Sequence, residues 1–216
     1  MSCKLAIFDL DGTLLDTLDD LAGSVNHALE SESLPTRSIL EVRSFIGNGI
    51  RNLIDRSVPA DTDPAVTDRV FAAFKAHYAL HSKDITHPYE GVCELLARIR
   101  AAGCKVAILS NKADFAVQEL CALYFDGLYD FAAGERAGIP KKPAPDSIFA
   151  IADSFGIARS ACVYIGDSEV DIETARNADM KLICVDWGFR DRDVLISAGA
   201  ERIVSDIASL EAAILN

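Results

Sequence analysis

The chain has 216 residues, half of them apolar, enough to bury the core of one full domain and of a smaller second one. Its 33 Asp and Glu against 21 Lys and Arg give a formal net charge of -12 spread along the whole length, which makes nucleic acid and anionic membrane poor partners. The six cysteines include no C-x-x-C pair and most lie in or beside apolar runs, as expected for reduced thiols in the cytoplasm and not for a disulfide framework or zinc site; the apolar stretch Leu5-Ala6-Ile7-Phe8 is far too short for a signal-peptide core or a membrane span.

In chain order, the first strand is predicted at Leu5-Ala6-Ile7-Phe8, running into Asp9-Leu10-Asp11-Gly12-Thr13. Residues 17–87 hold no convincing strand and read as helices separated by Leu34-Pro35, Gly47-Asn48-Gly49 and Val58-Pro59. The Pro and Gly of residues 87–91 mark a linker. A helix with Val92, Leu95, Leu96 and Ile99 on one face follows, stopped by Gly103, and then a strand at 106–109. A helix with Ile148, Ile151, Ala152 and Phe155 leads to Gly156, and strands are predicted at 162–165 and 182–185, with a weaker one at 202–204. Strand alternating with helix predicts an α/β fold, a Rossmann-like parallel sheet with helices on both faces. Residues 1–16 and 88–216 would form this core, and residues 17–87 a helical cap domain inserted after the first strand.

Three of these strands end on reactive residues: Asp9, Ser110-Asn111-Lys112, and Gly166-Asp167. In an open parallel sheet the carboxyl ends of neighbouring strands converge on one crevice, so the three groups can meet. Extended-chain alternation sends Asp9 and Asp11 to the side opposite Leu10. Gly12 permits a sharp turn that brings backbone N–H groups to an anion, and Thr13 adds a hydroxyl. With Asp167 as a third carboxylate, a hard divalent cation with oxygen ligands is implied.

The segments 9–17 (DLDGTLLDT), Ser110-Asn111-Lys112, 142–146 (KPAPD) and Gly166-Asp167-x-x-x-Asp171 resemble, in order, the four motifs of the haloacid dehalogenase superfamily. The insertion and the segment Ile46-Gly47-Asn48-Gly49 are similar to bacterial phosphoglycolate phosphatases. The resemblance implies a Mg²⁺-dependent phosphatase acting on a small phosphate monoester, with phosphoglycolate as the model substrate. It assigns Asp9 as nucleophile, Asp11 as general acid and base, and Lys142 as partner of Asp9 and of the transferring phosphoryl. Mg²⁺ would be held by Asp9, the Asp11 carbonyl and Asp167. Gly12, Thr13, Ser110 and Asn111 would bind phosphate, and Gly47, Asn48 and Gly49 would belong to a cap loop closing over substrate.

Several residues admit a plainer reading. Asp171 either orients Lys142 or completes a helix capping box with Ser168. Lys112 is expected on the surface near a helix start, and the four histidines as surface or packing residues. Arg43 and Arg51 either meet a substrate carboxylate or are simply solvated. A sugar phosphomutase, pyrophosphatase or nucleotidase would carry the same core motifs. A receiver-type signalling module also gathers aspartates around Mg²⁺, but it carries its phosphoacceptor in a later strand and no helical insertion. Composition sets no oligomeric state.

Overall fold

The computed structural model describes residues 3–47 and 49–216. In chain order the elements are β1 (Leu5–Phe8), β2 (Leu15–Asp16), α1 (Leu18–Ser31), α2 (Ile39–Phe45), α3 (Ile50–Ser57), α4 (Pro64–His81) and β3 (His87–Pro88). They continue with α5 (Val92–Ala101), β4 (Lys105–Ala113), α6 (Asp114–Tyr124), β5 (Phe131–Glu135), α7 (Asp146–Ser154) and β6 (Cys162–Gly166). The chain ends with α8 (Glu169–Asn177), β7 (Lys181–Val185), α9 (Arg192–Ser197), β8 (Ile203–Val204) and α10 (Ile207–Leu215). It divides into two compact units, Met1–Leu15 with Pro88–Asn216, and Asp16–His87. No helix among the described residues is long and apolar enough to cross a membrane.

The larger unit is built on a parallel six-stranded sheet of order β5-β4-β1-β6-β7-β8. β1 lies between β4 and β6, so its four residues are walled in on both edges and both faces, and all four are fully buried. The alternation of the strand sorts them. Ala6 and Phe8 join Val106, Ile108 and Val163 in a core with α5, α6 and α10, whereas Leu5 and Ile7 join Ala107, Leu109 and Tyr164 against α7 and α8. This two-sided burial is why the parallel strands read as continuous apolar runs.

Two features of the sheet escape a reading by periodicity. β5 carries the sequence FAAGE, poor in β-branched residues, and is ordered by pairing along β4 at the sheet edge. β4 runs past the apolar segment through Ser110, Asn111 and Lys112 to Ala113, with a register irregularity against β5 between Leu109 and Ala113. A Cβ on Gly134 of β5 would stand 2.4 Å from the Lys112 carbonyl, so only glycine admits this close approach.

The smaller unit is helical. α1 packs on α4, with Val25 and Leu29 of α1 and Val70, Phe74 and Tyr78 of α4 all buried. Ser38 and Glu41 form a capping box on α2, and Asp63 caps α4, whose first residue is Pro64. Asp20 accepts hydrogen bonds from the N–H groups of Ile85 and Thr86 and so ties the end of the unit to α1. Gly47 and Gly49 both have positive φ, 129° and 92°, while Asn48 lies outside the described residues. Arg51 pairs with Asp55 and Asp68.

His27 of α1 and His77 and His81 of α4 stack in a row, with ring centroids 4.0 and 4.2 Å apart, so the packing reading of these residues holds for three of the four histidines. His77 Nδ1 is 2.9 Å from the Ser24 hydroxyl, and His81 is hydrogen-bonded to Asp84. Burial, and then the neighbouring imidazoles, hold the His77 pKa below the ordinary histidine value. His77 is therefore kept neutral by folding. Its contribution is complete above the unfolded-state pKa of about 6.5 and is lost as pH falls through the lower folded value. The wild-type minus His77→Gln difference in unfolding free energy should therefore shrink between pH 7.5 and pH 5, as followed by urea denaturation. A constant difference would show that protonation of His77 is not coupled to folding.

Candidate active site

The carboxyl ends of β1, β4 and β6 gather the reactive residues of the larger unit. Asp9 follows β1, and its Oδ1 accepts from the Leu10 N–H at 2.7 Å and is 2.8 Å from Lys142 Nζ. Asp9 Oδ2 accepts no hydrogen bond among the described residues, which leaves one carboxylate oxygen oriented but uncommitted.

Lys142 is almost fully buried and lies between two acids. Its Nζ is 2.9 Å from Oδ1 of the fully buried Asp171 and 3.1 Å from the Tyr164 hydroxyl, which itself donates to Asp171 Oδ1 at 3.0 Å. Burial alone would depress the lysine pKa, but Asp171 and Asp9 override it and hold it well above the ordinary value. Burial pushes Asp171 up, and Lys142 with the Ser168 hydroxyl outweighs burial and leaves it lowered. Lys142 is thus a fixed cation.

Asp171 unites the two readings its position allows. Its Oδ1 holds Lys142, while Oδ2 accepts from the N–H of Ser168 at 3.1 Å, from the Ser168 hydroxyl at 2.6 Å and from the Asp167 N–H at 3.2 Å. One carboxylate caps α8 and anchors the cation. A Cβ on Gly166 would fall 2.3 Å from Asp171 Cγ, so glycine is needed where β6 passes it.

Asp11 accepts from the Ser110 hydroxyl at 3.2 Å and from Lys112 Nζ at 2.6 Å. Lys112 lies just before α6, as expected, but it corrects the surface placement: it is 8% exposed and belongs to the extension of β4. Strand alternation explains the arrangement, because Ser110 and Lys112 face Asp11 while Asn111 points the other way. The Asn111 side-chain amide brackets the Lys142 backbone. Its Nδ2 donates to the Lys142 carbonyl and its Oδ1 accepts from the Lys142 N–H, both at 2.9 Å.

Asp167, after β6, accepts from the Thr13 hydroxyl at 3.0 Å and from the Phe189 N–H at 2.8 Å. Gly12 has φ +82°, and a Cβ there would stand 2.4 Å from Asp167 Oδ2; a Cβ on Gly188 would stand 2.5 Å from the same atom. Trp187 Nε1 donates to the Thr13 carbonyl. The loop after β7 therefore closes on the Asp9–Thr13 turn, and Trp187, Gly188, Phe189 and Tyr164 are site residues that the sequence reading missed. A glycine just past a strand end and a tyrosine two residues before Gly166 were the available signals. Gly47 and Gly49 belong to the smaller unit.

The donor set suits a hard divalent cation. Asp9, Asp167 and Asp171 are buried carboxylates whose oxygens lie within 4.8 Å of one another. Asp171 already accepts from five donors, so Asp9 and Asp167 are the side chains with capacity left for a metal. Burial, and then the charge of Asp171, raises the pKa of both, Asp9 well above the carboxylate range and Asp167 to about 7. A dication would relieve this crowding with the oxygen ligands it prefers.

A family model for haloacid dehalogenase-like hydrolases matches residues 6–185. The chain is 34% identical over 200 residues to a phosphoglycolate phosphatase of Mesorhizobium japonicum, covering 90% of this chain and 87% of the relative. It is 32% identical over 219 residues to one from Thiobacillus denitrificans, covering 98% and 95%. A crystal structure from Lactobacillus delbrueckii subsp. bulgaricus, provisionally assigned as a phosphoglycolate phosphatase, superposes with a TM-score of 0.95 at 38% identity over 100% of both chains.

The raised carboxylate pKa values predict the pH dependence of metal uptake. Below pH 7 the metal-free site holds protons that a cation must displace, so the affinity for a divalent cation should rise between pH 6 and pH 8, with proton release. Titration calorimetry in buffers of different ionisation enthalpy measures both quantities. A pH-independent affinity with no proton release would show that these carboxylates are already ionised.

Proposed function

Because the chain belongs to the haloacid dehalogenase-like hydrolase family, we propose that it is a phosphatase that hydrolyses a small phosphate monoester through a phosphorylated Asp9, with Mg²⁺ as cofactor and phosphoglycolate as preferred substrate. The observation that carries the reading is the state of Asp9: Oδ1 is pinned by Lys142 and the Leu10 N–H, and Oδ2 is left to attack. The names of the relatives support the substrate. The six free thiols support a reducing, cytoplasmic setting.

In the proposed reaction Asp9 Oδ2 bonds to phosphorus as the bond to the ester oxygen breaks, and Asp11 passes its proton to the departing alcohol. Asp11 then takes a proton from water, whose oxygen attacks the phosphorus of phospho-Asp9 and frees the carboxylate and inorganic phosphate. Lys142 compensates negative charge near Asp9 throughout, since phosphoryl transfer depends on positioning and charge neutralisation. The Ser110 hydroxyl is hydrogen-bonded to Asp11, and the Thr13 hydroxyl to Asp167. Bound Mg²⁺ would supply further neutralisation of the phosphoryl oxygens, with Asp9, Asp167 and the Asp11 carbonyl as its holders.

Phosphate release from a panel of small monoesters, with Mg²⁺ and with EDTA, tests the reading. Release is expected only with the metal, with phosphoglycolate giving the highest kcat/KM. Asp9→Asn should lower kcat by at least about 1,000-fold while remaining folded. Wild-type turnover by the folded variant would remove Asp9 from the nucleophile role.

A further inference from the structure

We propose that Lys112 is a specificity-determining residue that selects phosphate esters whose leaving alcohol carries its own negative charge close to the ester oxygen, such as a short 2-hydroxy carboxylate. The inference rests on the phosphatase reading above and adds to it a class of leaving group and the residue that recognises it.

Burying an ammonium is costly. Lys112 is 8% exposed, and a desolvated lysine is kept only where a negative group repays it. The cluster holds four carboxylates, Asp9, Asp11, Asp167 and Asp171, against two ammonium groups, and these two are used differently. Lys142 is clamped between Asp9 and Asp171 on the nucleophile side. Lys112 reaches Asp11, the proposed general acid, at 2.6 Å.

Geometry then limits what Lys112 can meet. A general acid must lie within hydrogen-bond distance of the leaving oxygen, so the ammonium beside Asp11 stands at most two hydrogen bonds and the width of one carboxylate, about 7–8 Å, from that atom. A carboxylate one carbon beyond the ester oxygen falls within this span, and a neutral alkyl group leaves the ammonium with no anion from the substrate. The placement is built into the fold. The β4 extension aims Ser110 and Lys112 at Asp11, and Gly134 of β5 leaves room for the Lys112 carbonyl, which a Cβ would meet at 2.4 Å.

The test compares phosphoglycolate with ethyl phosphate, of similar size and neutral in its leaving group, for the wild type, Lys112→Met and Lys112→Arg. Wild type should show a higher kcat/KM on the anionic ester. Both esters will lose some rate in Lys112→Met, because the Asp11 contact is lost for both. The ratio of the two kcat/KM values should fall at least about thirtyfold, as expected for one hydrogen bond between charged groups. Lys112→Arg keeps the charge and should keep most of the ratio, even where its rates fall. Equal losses on both esters in folded Lys112→Met would reduce Lys112 to a partner of Asp11 and overturn the proposal. So would a wild type with no preference for the anionic ester, a result that needs no variant. Release of phosphate from neither ester by the wild type would instead overturn the phosphatase reading, and this assignment with it.

Discussion

One buried ammonium between two buried carboxylates sets the terms for the rest of the site. Lys142 is within 2.9 Å of both Asp9 and Asp171, in surroundings where any of the three charges alone would be expensive. Removing one partner from such a cluster costs about 3–5 kcal/mol, a large part of the roughly 5–15 kcal/mol that stabilises a domain. The fold therefore holds each member from several sides. Asn111 brackets the Lys142 backbone, Tyr164 bridges Lys142 and Asp171, and Ser168 with the Asp167 N–H saturates the far oxygen of Asp171. Only one oxygen of Asp9 is left outside these bonds, and the proposed chemistry starts there.

Glycine makes the convergence possible. Gly12, Gly166 and Gly188 stand where any side chain would overlap a carboxylate of the cluster, so three segments from different strands come within contact distance of Asp167 or Asp171. The remaining charge is negative, with Asp9 and Asp167 raised by burial, which is the electrostatic reason the site favours a dication. Two ammonium groups divide the work in the proposed reaction: Lys142 serves the attacking side and Lys112 the departing side.

Much of this was legible in the sequence. The run Leu5-Ala6-Ile7-Phe8 before paired aspartates marked β1 and its acids, because a central parallel strand must be apolar on both faces and its end can be polar. Strand alternation with helix gave the fold class, and the missing strands after residue 17 gave the helical insertion, whose unit starts at Asp16, one residue before the expected boundary. The rest depended on tertiary pairing. β5 has little strand propensity of its own and is ordered by β4. Lys112 looked like a surface lysine because nothing local shows that β4 continues past Leu109, and once it does, alternation turns Lys112 inward and commits the Asn111 side chain to Lys142. Trp187 and Phe189 reach the site only because the loop after β7 folds onto the turn after β1, a contact between residues more than 170 positions apart in the case of Trp187 and Thr13.

The central claim is that Asp9 carries the phosphoryl group, and the most direct measurement is to trap it. An Asp11→Asn variant keeps the Asp9 carboxylate but cannot pass a proton to or from water, so with an ester of a good leaving group it should accumulate phosphoprotein. Acid quench within the first turnover, followed by peptide mass spectrometry, should find a base-labile phosphate on Asp9. A stoichiometric burst of alcohol with no phosphate on Asp9, or with phosphate on another residue, would contradict the account.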